Sequence, residues 1–165
     1  MPALTKGKSA PGIELPTLDG GRFSLQDALS KGPVVLAFFK ISCPVCQYAL
    51  PFLERIFHAA DGKDTTIIGV SQNSKKDTAF FNKQYGITFP VALDDPADYS
   101  VSNAYGLTNV PTFFYINENG VIEISAVGWS RPDLEEIARK ISERSSMATI
   151  RFVKPGEDVP AFRAG

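Results

Sequence analysis

The chain has 165 residues, 44% of them hydrophobic and 21% charged, which suits one globular domain and is too polar overall for a membrane-resident protein. Its 17 basic and 18 acidic residues are interspersed and leave a net charge of −1. This balance provides no basic stripe for nucleic-acid phosphates and no polybasic segment for lipid headgroups. We therefore expect a single domain over residues 1–165, with no nucleic-acid partner and no membrane partner.

Hydrophobic patterning in the first half of the chain predicts a hairpin followed by alternating strands and helices. An Asp-Gly-Gly turn centres the hairpin, and Ser24 can cap the helix after it. The continuous apolar run Val34–Phe39 is typical of a strand covered on both faces. The predicted elements are a hairpin over residues 12–25, a helix over 25–30, a strand over 34–39, a helix over about 44–60 and a strand over 65–70.

The second half of the chain continues this alternation. Ser74 is suited to begin a helix, Gly86 to end it, and Pro132 stands at the favoured first turn of a last, amphipathic helix. The predicted elements are a helix from Ser74 to Gly86, a strand over 89–93, a short helix over 97–105, a strand over 113–116, a turn over 117–120, a strand over 121–127 and a helix over about 132–143. Together they predict an α/β fold whose sheet has a parallel core and an antiparallel edge.

The C-terminal tail, residues 146–165, does not fit this alternation. Within it, Thr149–Val153 could add a strand at the edge of the sheet. The last twelve residues have no periodicity, so we expect them to be extended and bound at the surface. The sequence assigns the tail no function.

The opening residues 1–12 indicate where in the cell we expect the protein. They carry two lysines but no apolar run of the length that a secretory signal needs. Elsewhere the longest apolar stretch is Val34–Phe39, far short of the roughly 18 residues that a membrane-spanning helix requires. We therefore expect a cytoplasmic protein.

Cys43 and Cys46 are the two cysteines of the chain. A disulfide between them would close so small a loop that it would constrain the unfolded chain little, so a structural staple is a poor explanation. A zinc site normally needs four ligands, and the lone His58 cannot complete the set, so we expect no metal. In a reducing compartment such a pair is better explained by redox chemistry.

The predicted elements place this Cys-Pro-Val-Cys motif where a buried strand ends and a helix begins. Unpaired N–H groups and the positive end of the helix dipole favour a thiolate at Cys43, and only a thiolate attacks a disulfide. Cys46, nearly one turn further in, is better shielded and would resolve the mixed disulfide. The plain alternative is that two cysteines pack as small hydrophobic residues. We predict a thiol-disulfide oxidoreductase that needs no bound cofactor.

The chain resembles the thioredoxin superfamily, in particular its redoxin branch of TlpA-like and peroxiredoxin-like (AhpC/TSA-related) proteins. The resemblance rests on a strand that runs into the Cys-Pro-Val-Cys motif, on Pro51 within the following helix, on the turn Val110-Pro111-Thr112, and on a closing hairpin to Gly128 before a last helix. It covers residues 10–144, which we take as the core of the domain, and includes the N-terminal hairpin as an extension. It leaves the tail outside.

The resemblance implies that Pro111 is a cis-proline facing the cysteine pair and that the backbone of Val110 meets an incoming disulfide-bearing chain. Pro44 and Val45, between the two cysteines, would also contact the substrate. The implied partners are a disulfide-bearing protein or a small-molecule disulfide, and an upstream thiol reductant that restores the dithiol.

Three residues near the motif bear on the reactivity of the two thiols. The aspartate that many thioredoxins place six residues before the first cysteine, where it serves proton transfer to the buried sulfur, is Ala37 here. The tryptophan that usually precedes the first cysteine is Ser42, whose hydroxyl could hydrogen-bond a thiolate instead. Lys40 is close enough in sequence to act on Cys43, but we expect it to point to solvent.

A peroxiredoxin-like thiol peroxidase, with antioxidant activity, is the alternative function. Cys46 would then align with the peroxidatic cysteine, and Cys43 with the threonine of that family's Thr-x-x-Cys motif. The proline of that motif is absent, and no arginine stands before Thr112 to polarise a peroxide. Arg131 could substitute only if the fold brings it close. A second alternative is a non-catalytic binding module with a thioredoxin fold.

Overall fold

The computed structural model describes residues 3–62 and 64–165. Met1 and Pro2, where the segment examined for a secretory signal begins, lie outside the described residues. The elements are, in chain order, β1 (Glu14–Pro16), β2 (Arg22–Ser24), α1 (Leu25–Leu29), β3 (Val34–Phe39), α2 (Pro44–Ala60), β4 (Thr66–Ser71), α3 (Lys75–Tyr85), β5 (Val91–Leu93), α4 (Ser100–Ala104), β6 (Thr112–Ile116), β7 (Ile122–Val127), β8 (Trp129–Ser130), α5 (Arg131–Arg144) and β9 (Phe162–Arg163). Across these ranges no helix is both long enough and apolar enough to cross a bilayer.

Within the described part of the chain, five strands form the central sheet in the order β5-β4-β3-β6-β7. β4 lies parallel to β3 and to β5, whereas β6 lies antiparallel to β3 and to β7. Parallel neighbours need a crossover connection, and α2 and α3 supply the two crossovers. β1 and β2 form the predicted hairpin beside this sheet. The predicted α/β fold with a parallel core and an antiparallel edge is confirmed.

β3 lies at the centre of the sheet, and all six of its residues are fully buried. Successive side chains of a strand point to opposite faces, so β3 feeds two apolar clusters. Its odd-numbered residues join the cluster that contains the buried faces of α2 and α5. Its even-numbered residues join the cluster that contains the β1–β2 hairpin. The continuous apolar run therefore reflects a strand covered on both sides.

Side-chain caps fix the helix boundaries that the sequence predicted. The Ser24 hydroxyl accepts a hydrogen bond from the Asp27 backbone N–H at 3.3 Å, and the Ser74 hydroxyl accepts one from the Asp77 N–H at 3.2 Å. α3 ends at Gly86, whose φ of 69° lies in the left-handed region that glycine adopts without steric cost.

Residues 146–165 pack on this core, and the edge strand expected at Thr149–Val153 is wrong. That segment forms no strand, and Ile150 and Phe152 are instead buried in the cluster that contains α2 and α5. The alternation of apolar and polar residues in this segment therefore reflects packing against helices rather than pairing with a sheet. Val159 is buried in the same cluster, so the surface position expected for the last twelve residues is wrong there. The strand of the tail is β9, which lies antiparallel to β8.

Candidate active site

Cys43 follows β3 after a short loop and is the N-cap residue of α2. Its Sγ accepts a hydrogen bond from the Cys46 backbone N–H at 3.2 Å. Pro44 occupies the first turn of the helix, where a missing N–H costs nothing. The sulfur therefore lies at the positive end of α2, as the sequence predicted, and a negative charge on it is stabilised there.

The backbone of Val110 faces this sulfur. Cys43 Sγ lies 3.4 Å from the Val110 carbonyl oxygen, to which its thiol donates, although the two residues are 67 positions apart. The Val110–Pro111 peptide bond is cis, as the resemblance implied. The Thr112 hydroxyl donates to the Asn109 carbonyl at 2.8 Å and closes the turn before β6. This turn and the N-terminus of α2 together form the candidate site.

The two cysteines differ in exposure. Both carry free thiols, but Cys46 is fully buried, whereas Cys43 is partly exposed. Burial raises the pKa of the Cys46 thiol far above its ordinary value, and its hydrogen bond with Cys43 raises it further. A substrate therefore meets Cys43 first, while Cys46 stays protonated behind it.

The other residues predicted to contact substrate lie around the same sulfur. Pro44 is exposed, and Val45 and Val110 are half-buried against the apolar cluster that also holds Cys43. Pro111 is buried. Their role in substrate binding stays a prediction, and their placement beside Cys43 agrees with it.

The positions that depart from the thioredoxin pattern supply no obvious proton acceptor. Ala37 is fully buried in β3. Ser42 is exposed, and within the described residues no hydrogen bond joins its hydroxyl to Cys43. Lys40, expected to point to solvent, instead places its ammonium 5.5 Å from the centre of the Tyr99 ring. No carboxylate therefore stands at the β3 position where many thioredoxins place their buried aspartate.

A polar cleft of about 200 Å³ opens beside Val110. Its lining includes Lys40, Gln72, Tyr99, Asn103, Asn109 and Val110. Lys40 is the charged member of this lining among the described residues, so the lining carries a positive charge. No group of three or more His, Cys, Asp or Glu side chains converges in residues 3–62 and 64–165.

Residues of the tail also reach the site, and no sequence signal indicated this. The Asn109 side-chain amide donates to the Gly165 carbonyl at 3.2 Å. The Arg163 guanidinium lies 4.7 Å from the centre of the Tyr48 ring in α2. A two-residue strand such as β9 is too short to produce a periodic pattern, so only the fold reveals these contacts.

The features that a peroxidase would need are not assembled here. The Arg131 guanidinium donates from Nε to Glu135 at 3.2 Å and from Nη1 to the Val159 carbonyl at 3.3 Å, so two of its three nitrogens bind α5 and the tail. Cys46, which would be the peroxidatic thiolate, is buried and has a raised pKa. Both observations disfavour peroxide reduction at Cys46.

Comparison with known proteins gives a family and named relatives. The AhpC/TSA family matches residues 6–125. The thiol-disulfide oxidoreductase ResA of Bacillus subtilis (strain 168) is 28% identical over 156 residues, which are 94% of this chain and 79% of the relative. ResA of Bacillus cereus (strain ATCC 10987 / NRS 248) is 32% identical over 139 residues, which are 82% of this chain and 78% of the relative.

Solved structures give the same fold. A putative thiol:disulfide interchange protein DsbE from Chlorobium tepidum superposes with a TM-score of 0.73 at 27% identity, over 86% of this chain and 98% of that one. A putative protein disulfide isomerase from Bacteroides thetaiotaomicron has a TM-score of 0.78 at 23% identity, over 88% of this chain and 95% of that one. The thioredoxin-like fold is therefore confirmed.

Proposed function

The chain belongs to the AhpC/TSA family and is a thiol-disulfide oxidoreductase, and we propose that Cys43 is its nucleophile and Cys46 its resolving thiol. The observation that carries this assignment is the position of Cys43 Sγ, partly exposed at the N-terminus of α2 and 3.4 Å from the Val110 carbonyl. Cys46 lies one helical turn behind it and is shielded from any incoming substrate.

The reaction has two exchange steps. The Cys43 thiolate attacks one sulfur of the substrate disulfide, forms a mixed disulfide with it, and releases the other sulfur as a thiolate that takes up a proton. Cys46 then loses its proton and attacks Cys43 Sγ, which forms the Cys43–Cys46 disulfide and releases the second substrate thiol. The two electrons that reduce the substrate come from the dithiol, and an upstream thiol reductant restores it.

The order of the steps follows from the state of Cys46. In the dithiol, burial and the neighbouring Cys43 hold the pKa of the Cys46 thiol well above its ordinary value. The hydrogen bond and the charge of Cys43 both raise the pKa of Cys46, and formation of the mixed disulfide removes both. The pKa of Cys46 therefore falls at the step in which Cys46 must lose its proton. The substrate thiolate released in the first step, or water, can take this proton.

The direction of electron flow and the cytoplasmic location stay predictions from the sequence. A cytoplasmic reductant needs a potential near that of thioredoxin, about −270 mV, whereas a strong oxidant lies near about −120 mV. Equilibration of the pair with glutathione buffers of known ratio measures this value. A potential near the oxidising limit would contradict the reducing role.

Two cysteine variants test the assignment. We expect Cys43→Ser to abolish reduction of insulin and of oxidised glutathione with dithiothreitol as the donor, because the attacking sulfur is gone. We expect Cys46→Ser to accumulate a mixed disulfide on Cys43 that mass spectrometry of tryptic peptides locates. The assignment is wrong if Cys43→Ser keeps the wild-type rate or if the adduct forms on Cys46.

Each variant needs two controls. Far-ultraviolet circular dichroism and a melting curve establish that it is folded, so a lost rate reports chemistry. A parallel assay with hydrogen peroxide tests the alternative activity, for which the expected outcome is no consumption above the uncatalysed thiol rate. Peroxide turnover that survives Cys43→Ser and disappears in Cys46→Ser would support a peroxidase instead.

A further inference from the structure

Residues 159–165, called the strap below, cross the molecular surface beside the cysteine pair. β9 in the strap lies antiparallel to β8. The Arg131 backbone N–H donates to the Ala161 carbonyl at 2.8 Å, and the Trp129 indole donates to the Pro160 carbonyl at 2.8 Å. Hydrogen bonds to the carbonyls of two successive strap residues therefore hold the strap in one register against β8.

Two glycines bring the backbone of the strap into contact with the candidate site. A β-carbon at Gly165 would lie 2.3 Å from the Val110 carbonyl oxygen, and one at Gly128 would lie 2.6 Å from the Arg163 carbonyl oxygen. No real side chain tolerates such distances, so the contact depends on glycine at both positions. The Val110 carbonyl thus contacts the strap and the Cys43 sulfur at the same time.

Aromatic side chains anchor the strap on α2. Arg163 stacks on Tyr48, whose ring meets that of Trp129 edge-on at 5.5 Å. A guanidinium over an aromatic face is attracted to the negative charge of the ring face. Phe162, the other residue of β9, is 60% exposed and adds little to this anchor.

An extended polypeptide substrate would need the space that the strap fills. A sulfur that approaches Cys43 passes close to the Val110 carbonyl, and the chain on either side of a substrate cysteine docks by pairing with free backbone groups. In this structure the backbone of Val110, Gly128 and β8 is already in contact with the strap. The strap therefore competes with a polypeptide for the same edge.

We infer that the docked strap sets the substrate preference of this enzyme, favouring low-molecular-weight disulfides that carry carboxylates over extended polypeptide disulfides, which it reduces more slowly. The inference rests on the proposed function and names the substrate of that same site. The polar cleft beside Val110 remains open and has Lys40 to meet a carboxylate. One sulfur of the small disulfide joins Cys43 as the other leaves, and Cys46 then releases the first, so two thiols are produced for one dithiol oxidised.

Displacing the strap tests this inference. Arg163→Ala removes the stack on Tyr48, and Gly165→Ala places a methyl group against the Val110 carbonyl, so we expect the double variant to undock more often. The assay measures kcat/KM for insulin and for oxidised glutathione. We expect the double variant to gain about tenfold or more for insulin, because the fraction of molecules with a free edge rises. We expect the value for oxidised glutathione to change by less than about twofold, because neither substituted residue lines the cleft.

The matched control is Phe162→Ala, an exposed substitution in the same strand that leaves the anchors in place. It should keep the wild-type ratio of the two kcat/KM values. The single variants Arg163→Ala and Gly165→Ala should each raise kcat/KM for insulin relative to that for oxidised glutathione. If the double variant does not fold, these single variants test the role of the strap. Bis(2-hydroxyethyl) disulfide, which is small but uncharged, should be a poorer substrate than oxidised glutathione.

The outcomes separate this inference from the proposed function. An unchanged ratio in folded strap variants, or wild-type turnover of insulin as efficient as that of the double variant, would overturn the role of the strap. Equal efficiency with the charged and the uncharged small disulfide would overturn the role of the cleft. A wild-type protein that reduces none of the three disulfides would instead contradict the proposed function.

Discussion

Phe152→Ala is the sharpest test of whether the tail is part of the domain. Phe152 is 3% exposed, and its ring lies 6.2 Å from that of Phe52 and 6.3 Å from that of Trp129. Its carbonyl oxygen also accepts a hydrogen bond from Arg55 at 2.9 Å, which the substitution leaves in place. The change therefore removes packing alone.

The expected loss follows from the cavity. Truncation of a buried phenylalanine costs about 3 to 5 kcal/mol, and the lower end applies because a segment without regular structure can partly collapse into the space. At about 3 kcal/mol, a chain of this length should melt about 6 to 12 °C lower. Phe162→Ala, at a residue 60% exposed, should change stability by less than about 0.5 kcal/mol.

The assay is thermal unfolding of the reduced protein followed by circular dichroism, with urea unfolding as an independent measurement of the free energy. Both variants and the wild type are compared at one protein concentration. If Phe152→Ala melts together with the wild type, the packing of residues 146–165 on α2 and α5 is wrong, and the strap loses its support.

Three further predictions concern charged and titrating groups. Burial raises the pKa of the Cys46 thiol above its ordinary value of 9.0, so the unfolded chain releases this proton at a lower pH than the folded protein does. The stability that the buried thiol contributes is therefore complete below pH 9.0 and is lost as pH rises above that value. Relative to Cys46→Ala, the free energy of unfolding of the reduced wild type, measured in urea, should fall by about 1.4 kcal/mol per pH unit between about pH 9.5 and 10.5. Hydrogen bonds from Arg55 lower the pKa of Glu157 from 4.5 to about 2. The stability that this ion pair adds is therefore present above pH 4.5 and disappears as pH falls toward 2. Glu157→Gln should remove this part of the dependence of the melting temperature on acid pH. Glu54 is buried and accepts a hydrogen bond from the Thr88 backbone N–H at 2.8 Å. Glu54→Leu leaves that N–H without an acceptor and should lower the free energy of unfolding by about 1 to 3 kcal/mol or more. Glu54→Gln should lower it by less, and urea unfolding measures both changes.

The central elements could be predicted because their signals are local. Val34–Phe39 is a continuous apolar run, and Pro44 follows a cysteine that can cap a helix, so the strand, the turn and the start of α2 are all encoded within a few residues. The approach of Val110 to Cys43 spans 67 positions and depends on the order of strands in the sheet. Only the resemblance to a known family indicated that contact.

The tail could not be predicted from the same kind of signal. Residues 149–152 alternate between exposed and buried, and this alternation is the same whether a segment pairs with a sheet or lies on helices. What distinguishes the two is the partner of the backbone: Ile150 N–H donates to the Ser142 hydroxyl at 2.9 Å rather than to a strand. The contact of Gly165 with Val110 involves backbone on both sides, and side-chain patterns carry no information about it.

Because the side chains of β3 are divided between two apolar clusters, substitutions in this strand are tolerated differently from insertions and deletions. Substitutions within Val34–Phe39 change one cluster at a time, and neighbouring side chains can compensate for a change in volume. Deletion or insertion of a single residue would exchange the two sets of side chains and also rotate the exit of the chain toward Cys43. We therefore expect natural variants to differ in the size of the residues in β3 but to preserve the number of residues from its first position to the cysteine.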